Sequence, residues 1–525
     1  MMKKKLALTL ALVCAAGMLT GCFGGGNNSV DNTVEDNTNL HVYVLNRGYG
    51  TKWLKELEKG FEAKNSGIDV HIKEATDTNV LDTSFKSGKA QNDYDLYFSL
   101  DKTIYQTKDS YENYGGLDDL SDLYTMEIPG EGVTFGDKMT KSVKDMIVFE
   151  DGKYYSVPWA TGTMGIIYNE DVIKGALGDN YQLPRTTTEL AEFAASLKAA
   201  NSGIVPFVYP GQLDQWSGNM VYSWWAQYAG KETYDKFFEA KIYDELQGEW
   251  IISNKIFEQK GRVKALEVLD NLISVENGWS DLDCNEYGQE QFKTLQIQFL
   301  DQNSKYAMYP CGDWLEQESA DARSTKNFAL MKTPVISSIV ETLNDKNMTD
   351  ATLRAVVDAV DKGESSYAGV SAEDFARIKE ARSITYSKAT EHQVYAPAYS
   401  NAKKLARQFL LYMASDEGIK IYKENVNGGF LPFEYDYSGT TLSKFETSVS
   451  TLMNGTLISQ TNKSAMFYRG NVSAMGANSG AIPATIEVCL SVAVGSKDAL
   501  TPTELNDKMK YSDAEWNRIK EAAGL

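Results

Sequence analysis

Strand-like and helix-like segments alternate directly after residue 39, and this alternation limits the possible folds more than any other feature of the sequence. LHVYVL at residues 40–45 is an apolar run typical of a buried strand. The segment 51–63 then places its large apolar residues on one helical face. Further strands are predicted at residues 68–72 and 94–100. This spacing predicts βαβ units, a largely parallel sheet and therefore an α/β fold.

Three later helices begin with recognisable capping residues. Thr186 and Glu189 have capping-box spacing, and the helix that follows has a clear apolar face. Ser400 is predicted to cap a second helix with an apolar face from Ala402 to Met413. Ser415 is predicted to begin a third helix, which ends at the Asn427-Gly428-Gly429 turn.

The N-terminus has the features of a lipoprotein signal. Three lysines precede an apolar stretch of 14 residues, Leu6 to Leu19, which is too short to span about 30 Å of hydrocarbon. The tetrapeptide that follows, ending in Cys22, matches the lipobox of bacterial lipoproteins. We therefore expect a signal peptide over residues 1–21, lipidation of Cys22, and a flexible tether over residues 22–39. This predicts a protein anchored by lipid to the extracellular face of the cell membrane.

Charge and motif content exclude several functional classes. Acidic residues outnumber basic ones by 72 to 52, which disfavours binding to nucleic-acid phosphates. The three histidines are far apart, and no zinc, nucleotide or nucleophile-elbow motif occurs. We therefore expect no cofactor, no metal ligand set and no catalytic residue, although a calcium site outside the EF-hand class stays open.

Three cysteines remain after the signal peptide and Cys22, and an odd number outside the cell leaves their state open. Cys284 and Cys311 are candidates for a bridge, but pairing cannot be read from sequence. Buried thiols are the favoured interpretation for Cys284, Cys311 and Cys489.

Five segments in sequence order resemble the extracellular solute-binding proteins of carbohydrate ABC transporters, the family-1 group that includes maltose-binding proteins. They are GKYYSVP with GIIYNED (152–158 and 165–171), PRTTTEL (184–190), KYAMYPCGDWL (305–315), FALMKTP (328–334) and residues 402–432. Residues 335–394 fit the family pattern poorly and are interpreted as a family-variable insertion of uncertain lobe.

This resemblance implies an α/β two-lobe, periplasmic-binding-protein-like (Venus-flytrap) fold whose lobes are joined by hinge crossings. Lobe I would take residues 40–157 and about 395–431, and lobe II residues 158–334 and about 432–525. The implied function is capture of a carbohydrate, expected to be an oligosaccharide, between the lobes and its delivery to the transmembrane subunits of an ABC permease. The implied protein is a monomer and not an enzyme.

A sugar site needs aromatic rings for stacking on C–H faces and polar side chains for hydroxyl groups. In α/β sheets such residues lie beyond the carboxyl ends of strands. The candidates that follow predicted strands here are Arg47, Tyr49, Ser99, Asp101, Trp159, Thr161, Gln212, Asp214, Trp216, Asp313 and Trp314.

Each candidate also has a structural interpretation. Trp159, Trp216 and Trp314 could be core residues, although their turn positions favour ligand stacking. Arg47 could form a surface ion pair, and Asp101 and Asp214 could be helix N-caps. Core packing is the favoured interpretation for Trp53, Trp224 and Trp250, which are predicted on helical faces.

Three alternatives to sugar transport remain open at this stage. The same fold could bind a polyamine or peptide, and convergence of Asp101, Asp214 and Asp313 would favour a polyamine. The chain could be a glycan receptor without a role in transport. It could also be a glycan-cleaving lipoprotein, which would need a pair of acids in the cleft.

Overall fold

The computed structural model describes residues 35–88, 94–100, 104–211, 214–274, 276–281, 291–470, 501–508 and 510–525. The predicted signal peptide, Cys22 and most of the predicted tether lie outside these ranges. The described residues from Asp36 onward belong to one compact unit. Within that part of the chain, no helix combines the length and hydropathy required to cross a membrane.

The strands of the described chain form two larger sheets and one hairpin. In order they are β1 (Asn39–Leu45), β2 (Asp69–Ala75), β3 (Leu96–Ser99), β4 (Val157–Pro158), β5 (Thr163–Asn169), β6 (Val205–Phe207), β7 (Lys241–Asp244), β8 (Glu249–Ile252), β9 (Tyr306–Gly312), β10 (Phe328–Leu330), β11 (Ile384–Ser387), β12 (Gln393–Tyr395) and β13 (Thr456–Ile458).

Both larger sheets are mixed. The first has the order β2-β1-β3-β12-β4, with β1 parallel to β2 and β3 and with β12 antiparallel to both of its neighbours. The second has the order β13-β11-β5-β9-β6, and β10 also pairs with β5. The prediction of parallel strands is therefore confirmed for β1, β2 and β3, from which it was made, and is wrong for the sheets as a whole. Strands β4 and β12 adjoin short crossings to the other sheet, and such strands need not run parallel to their neighbours.

Helices cover the sheets. The α-helices of the described chain are Lys52–Lys64, Thr78–Ser87, Ile104–Tyr111, Ser121–Thr125, Phe135–Lys138, Lys141–Ile147, Glu170–Leu177, Thr187–Ala200, Asp214–Ala229, Lys231–Phe238, Lys260–Ile273, Phe292–Phe299, Leu315–Glu318, Asp350–Asp361, Ala372–Ser383, Lys403–Ala414, Asp416–Asn425, Lys444–Met453, Ala465–Tyr468, Pro502–Lys508 and Asp513–Ala523. Short 3-10 helices lie at Glu112–Tyr114, Asn254–Glu258, Ser337–Thr342 and Tyr437–Gly439.

Two of the three predicted helix caps are present. The Thr186 side chain accepts a hydrogen bond from the Glu189 amide, and Ser415 accepts one from the Gly418 amide. The Ser400 cap is wrong, because that helix begins at Lys403. The Ser400 hydroxyl instead donates to Asp95, which lies next to β3.

A separate apolar core packs on each larger sheet. We call the first sheet with its core the first lobe and the second sheet with its core the second lobe. Trp53 lies in the first core and Trp224 in the second, both fully buried as predicted. The helical assignment of Trp250 is wrong. It lies on β8 of the hairpin, partly buried, with its ring against Tyr243 on the opposite strand.

Residues 335–394 fit the resemblance poorly, and the elements within them from Ser337 to Ser387 pack on the second lobe. Apolar residues of both its helices, including Leu353, Val356 and Phe375, belong to the second core. Its strand β11 pairs with β5 and β13 in the second sheet.

The described chain passes between the two sheets at three places. Residues 159–162 connect β4 to β5, and residues 388–392 connect β11 to β12. The third crossing, residues 426–443, connects the helix Asp416–Asn425 to the helix Lys444–Met453. Backbone hydrogen bonds join the crossings to one another. The Trp159 amide donates to His392 and the Thr161 amide to Phe430, each at 2.9 Å. The crossings therefore form one hydrogen-bonded junction.

Candidate functional site

Loops from both lobes meet at this junction. Tyr49 follows β1 of the first sheet, and Asp313 and Trp314 follow β9 of the second. The Tyr49 hydroxyl donates a hydrogen bond to the Asp313 carboxylate. Residues 264 positions apart in the sequence are thus joined between the carboxyl ends of two strands, where α/β folds place their ligands.

The Asp313 carboxylate accepts hydrogen bonds from three donors. Besides Tyr49, these are the Thr161 hydroxyl at 3.2 Å and the Thr163 amide at 3.0 Å, both on the first crossing and the strand it enters. Asp313 has no exposed surface. Burial raises the pKa of Asp313 to about 6, although the three hydrogen bonds oppose this rise.

The raised pKa of Asp313 predicts a pH dependence of stability. In the unfolded chain the ordinary value of 3.8 applies, so the folded protein binds the proton more tightly. The stabilisation is complete below about pH 3.8 and is lost as the pH rises through about 6. We expect the difference in unfolding free energy between the wild type and Asp313→Asn to fall across this range.

Urea unfolding between pH 3 and 7 measures this difference. Asp374→Asn is the matched control, because two backbone amide donors hold the pKa of buried Asp374 below its ordinary value despite desolvation. The difference in unfolding free energy between the wild type and Asp374→Asn should rise with pH, since the stability that Asp374 contributes is lost as the pH falls. A flat or rising profile for Asp313 would contradict the prediction.

Three rings surround the Tyr49–Asp313 hydrogen bond. Trp159 lies 5.6 Å from Tyr49 between ring centroids, and Trp314 lies 6.4 Å from it, both edge to face. His392 lies within 5.4–6.3 Å of Tyr49, Trp159 and Trp314. Trp314 contacts the cores of both lobes and remains partly exposed. The junction is therefore an aromatic cluster with one buried carboxylate.

His392 is a polar member of this cluster that the sequence did not single out. Burial and the nearby Lys388 lower its pKa to about 3, so the imidazole is neutral at physiological pH. Its Nδ1 is buried and has no hydrogen-bond partner among the described residues. A neutral imidazole with a free nitrogen can accept a hydrogen bond from a hydroxyl group.

Gly312 is a second residue of the site that was not predicted from the sequence, and its position requires glycine. A Cβ atom at this position would lie 2.1 Å from the Trp314 ring. The ring therefore packs directly over the backbone of β9, and only glycine leaves room for it. The Gly-Asp-Trp order was the available signal.

The structure places six of the eleven predicted site residues at this junction, and all of these except Trp314 are buried. Ser99, Thr161 and Asp313 are buried, and Trp159 is 1% exposed. The Trp159 ring stacks on Trp53 at 5.6 Å, and its Nε1 donates to the Ser99 carbonyl. Trp159 is thus a core residue in this arrangement.

The remaining predicted residues are not shown at the junction. Arg47 is exposed, and its Nε donates to the Thr76 carbonyl at 3.3 Å. Asp214 and Trp216 lie in the first turn of the helix Asp214–Ala229. Asp101 and Gln212 fall outside the described residues, as do Cys284 and Cys489, while Cys311 is fully buried.

A buried ion pair supports the third crossing. Lys423 Nζ lies 2.6 Å from Glu446 and also donates to the carbonyls of Val426 and Gly429. Burial alone would raise the pKa of Glu446, but Lys423 and two backbone amides hold it below its ordinary value. This pair connects a helix of the first lobe to the helix Lys444–Met453, which packs against β10 of the second.

Within the described ranges, no group of His, Cys, Asp or Glu side chains is arranged to hold a metal ion. The junction offers ring faces and hydrogen-bonding groups, which suit binding of a polar organic molecule.

Comparison with known proteins identifies the fold. Residues 46–268 match the family described as bacterial extracellular solute-binding proteins. No curated protein matches the sequence at a significant level.

Solved structures share the architecture at low sequence identity. The binding protein MsmE from Bacillus subtilis, in an open conformation, has a TM-score of 0.55 and 15% identity, covering 93% of this chain and 99% of its own. The GacH receptor of Streptomyces glaucescens has a TM-score of 0.56 and 14% identity, covering 93% of this chain and 99% of its own. The substrate-binding protein Lmo0181 from Listeria monocytogenes, solved with cycloalternan, has a TM-score of 0.55 and 17% identity, covering 93% of this chain and 100% of its own.

These similarities confirm the expected α/β two-lobe, periplasmic-binding-protein-like fold. Residues 46–268 are therefore similar to bacterial extracellular solute-binding proteins, and the described chain shares the two-lobe fold of the solved binding proteins.

Proposed function

We propose that this protein is an extracellular solute-binding protein that captures a carbohydrate, in particular an oligosaccharide, between its two lobes for import by an ABC transporter. The observation that carries the proposal is the aromatic cluster of Tyr49, Trp159, Trp314 and His392 where the lobes meet. Aromatic rings suit the C–H faces of sugars, and the free Nδ1 of His392 suits a sugar hydroxyl. The family is one of binding proteins, and no catalytic step is part of the proposal.

Structures with the same fold support a sugar ligand. GacH was solved with acarbose, Lmo0181 with cycloalternan and RafE with raffinose. At 14–17% identity these proteins share the fold with this chain, so the particular sugar is not carried over.

Burial divides the proposed site residues into two groups. Trp314 and Arg47 keep exposed surface and are proposed to contact the ligand. Asp101, Gln212, Asp214 and Trp216 are also proposed to contact it, from their positions in the sequence alone. Tyr49, Ser99, Trp159 and Thr161 are buried and are proposed to support them, becoming accessible only if the lobes separate. Asp313 is committed to three protein donors, which counts against a polyamine site that uses its carboxylate.

The proposed lobe boundaries follow the predicted ones. Residues 40–157 with about 395–431 would form lobe I, and residues 158–334 with about 432–525 lobe II. The memberships of β1–β4 in the first sheet and of β5, β6 and β9 in the second support these boundaries, except that β4 extends to Pro158 and β12 begins at Gln393.

We further propose a lipid anchor at Cys22 on the extracellular face, a monomeric state, and delivery to permease subunits. The lipobox sequence and the family support these points.

The test is a thermal-shift screen of the purified protein. Chitin oligosaccharides, raffinose and cycloalternan are compared with spermidine and tripeptides, because saturation at one hundred times Kd adds about 2.7 kcal/mol to stability. We expect a glycan to raise the Tm. A shift with spermidine or peptide alone would overturn the ligand class, and release of shorter sugars from a bound glycan would indicate an enzyme.

Trp314→Ala is expected to weaken glycan binding roughly 10- to 100-fold, because a stacked aromatic ring contributes about 1.5–3 kcal/mol. Isothermal titration with the glycan that gives a shift measures this loss. Trp250→Ala is the control, since that ring lies on the β7–β8 hairpin and packs on Tyr243. Equal losses in both variants would remove Trp314 from the site.

A further inference from the structure

We propose that Asp313 is a positioning residue which, through Tyr49, ties the two lobes together and sets the balance between closed and open forms before any solute binds. The consequence for solute affinity rests on the proposed function, whereas the balance itself does not.

The hydrogen bond between Tyr49 and Asp313 crosses from one lobe to the other. Tyr49 belongs to the core of the first lobe, while Asp313 follows the central region of the second sheet and its amide donates to the Thr163 carbonyl of β5 at 2.9 Å. Because Tyr49 and Asp313 belong to different lobes, a rotation of one lobe against the other changes the distance between them. The bond is therefore placed to favour the lobe arrangement of this structure, which we take as the closed form, over one in which the lobes are further apart.

Burial distinguishes this role from direct solute contact. Asp313 is 0% exposed and Tyr49 is 2% exposed, so neither presents surface to a solute in this arrangement. Both carboxylate oxygens are already occupied, one by Tyr49 and the other by Thr161 and Thr163. A solute hydroxyl would have to displace one of these donors.

The third crossing packs closely against both Tyr49 and Asp313. A Cβ at Gly429 would lie 2.6 Å from the Tyr49 ring, and one at Gly428 would lie 2.2 Å from the Asp313 carbonyl oxygen. Lys423 and Tyr422, on the helix before this crossing, are the other ionisable groups that influence Asp313. Lys423 is paired with Glu446, which leaves Asp313 bonded to Tyr49 and the first crossing.

Position on the junction also links Asp313 to Trp314. Because Asp313 precedes Trp314 and is held by the first crossing, the backbone next to Trp314 is held by the same hydrogen bonds that join the lobes. Loss of a charge-assisted hydrogen bond changes such an equilibrium by roughly 10- to 100-fold. Asp313 would thus act on affinity through lobe position.

Small-angle X-ray scattering of the full protein without solute tests the proposal. We expect Tyr49→Phe and Asp313→Ala to increase the radius of gyration relative to the wild type. Asp313→Asn should keep the closed form, because its oxygen can accept from Thr161 and Thr163 while its amide donates to Tyr49. Tyr111→Phe is the matched control. Tyr111 is also 2% exposed and donates to Asp82 at 2.6 Å, but both residues lie in the first lobe.

The outcomes separate the two roles. An unchanged radius in Tyr49→Phe, or an equal increase in Tyr111→Phe, overturns the proposal. If raffinose or another glycan binds, equal affinity losses in Tyr49→Phe, Asp313→Ala and the double variant support positioning, whereas a loss confined to Asp313→Ala identifies a solute contact and overturns it. If no glycan binds, the proposed function fails, and the scattering comparison still decides this inference.

Discussion

Gly428→Ala is expected to lower the free energy of unfolding by about 2–5 kcal/mol, because two separate costs combine at this position. Gly428 has a φ of +84°, a left-handed conformation that costs an L-residue about 1–2 kcal/mol. Its Cβ would also lie 2.2 Å from the Asp313 carbonyl oxygen, and overpacking of a well-packed site costs about 1–3 kcal/mol more. Urea unfolding of the variant measures the sum.

Gly363→Ala is the control that separates the two costs. Gly363 has nearly the same φ, +80°, but a Cβ there meets nothing within 4 Å. We expect it to lose only about 1–2 kcal/mol. Equal losses in the two variants would mean that the third crossing moves away from Asp313 easily, which would contradict a tightly packed junction.

Local patterns were sufficient to predict the elements that surround the junction. The helix after β1 buries Trp53, Leu54, Leu57 and Phe61 as its spacing predicts, because a 3.6-residue period identifies the buried face without knowledge of its partner. The caps at Thr186 and Ser415 were also predictable from local sequence. A cap depends on bonds within a few residues.

The contacts that make the site were not predictable in this way. Tyr49 and Asp313 are 264 residues apart, and Ser400 bonds to Asp95 across 305 residues. Neither spacing leaves a local signal. The antiparallel direction of β12 depends on a chain crossing, which a strand pattern does not encode.

Aromatic residues illustrate the same limit. Trp159 and Trp314 both follow strands in turns, and both were predicted to stack on ligand. Trp159 proves to be fully covered by Trp53 and Tyr49, whereas Trp314 keeps exposed surface. The difference arises from the neighbouring helix Lys52–Lys64, which packs on one of them. The position of a tryptophan in the sequence predicts that it follows a strand, but it does not predict whether the ring faces the core or the solvent.

Glu446→Gln is expected to lower the free energy of unfolding by about 3–5 kcal/mol, because it leaves the Lys423 ammonium buried without its counter-ion. Lys423 and Glu446 are 8% and 7% exposed, and their charged atoms lie 2.6 Å apart. Loss of the carboxylate leaves the ammonium with two backbone carbonyls as its remaining hydrogen-bond acceptors. Urea unfolding at pH 7 measures the loss.

The same helix supplies the control for this prediction. Lys420 and Glu424 form an i,i+4 pair at 3.9 Å with side chains 63% and 61% exposed, and Glu424→Gln should cost no more than about 0.5 kcal/mol.

The double variant Lys423→Met with Glu446→Gln should be more stable than Glu446→Gln alone, because no buried charge then remains unpaired. If Glu446→Gln loses no more stability than Glu424→Gln, the buried pair does not hold the third crossing. A full loss in Glu446→Gln with recovery in the double variant would show that the cost comes from the unpaired ammonium, so that the junction depends on charge pairing at Lys423 as well as on the close packing at Gly428.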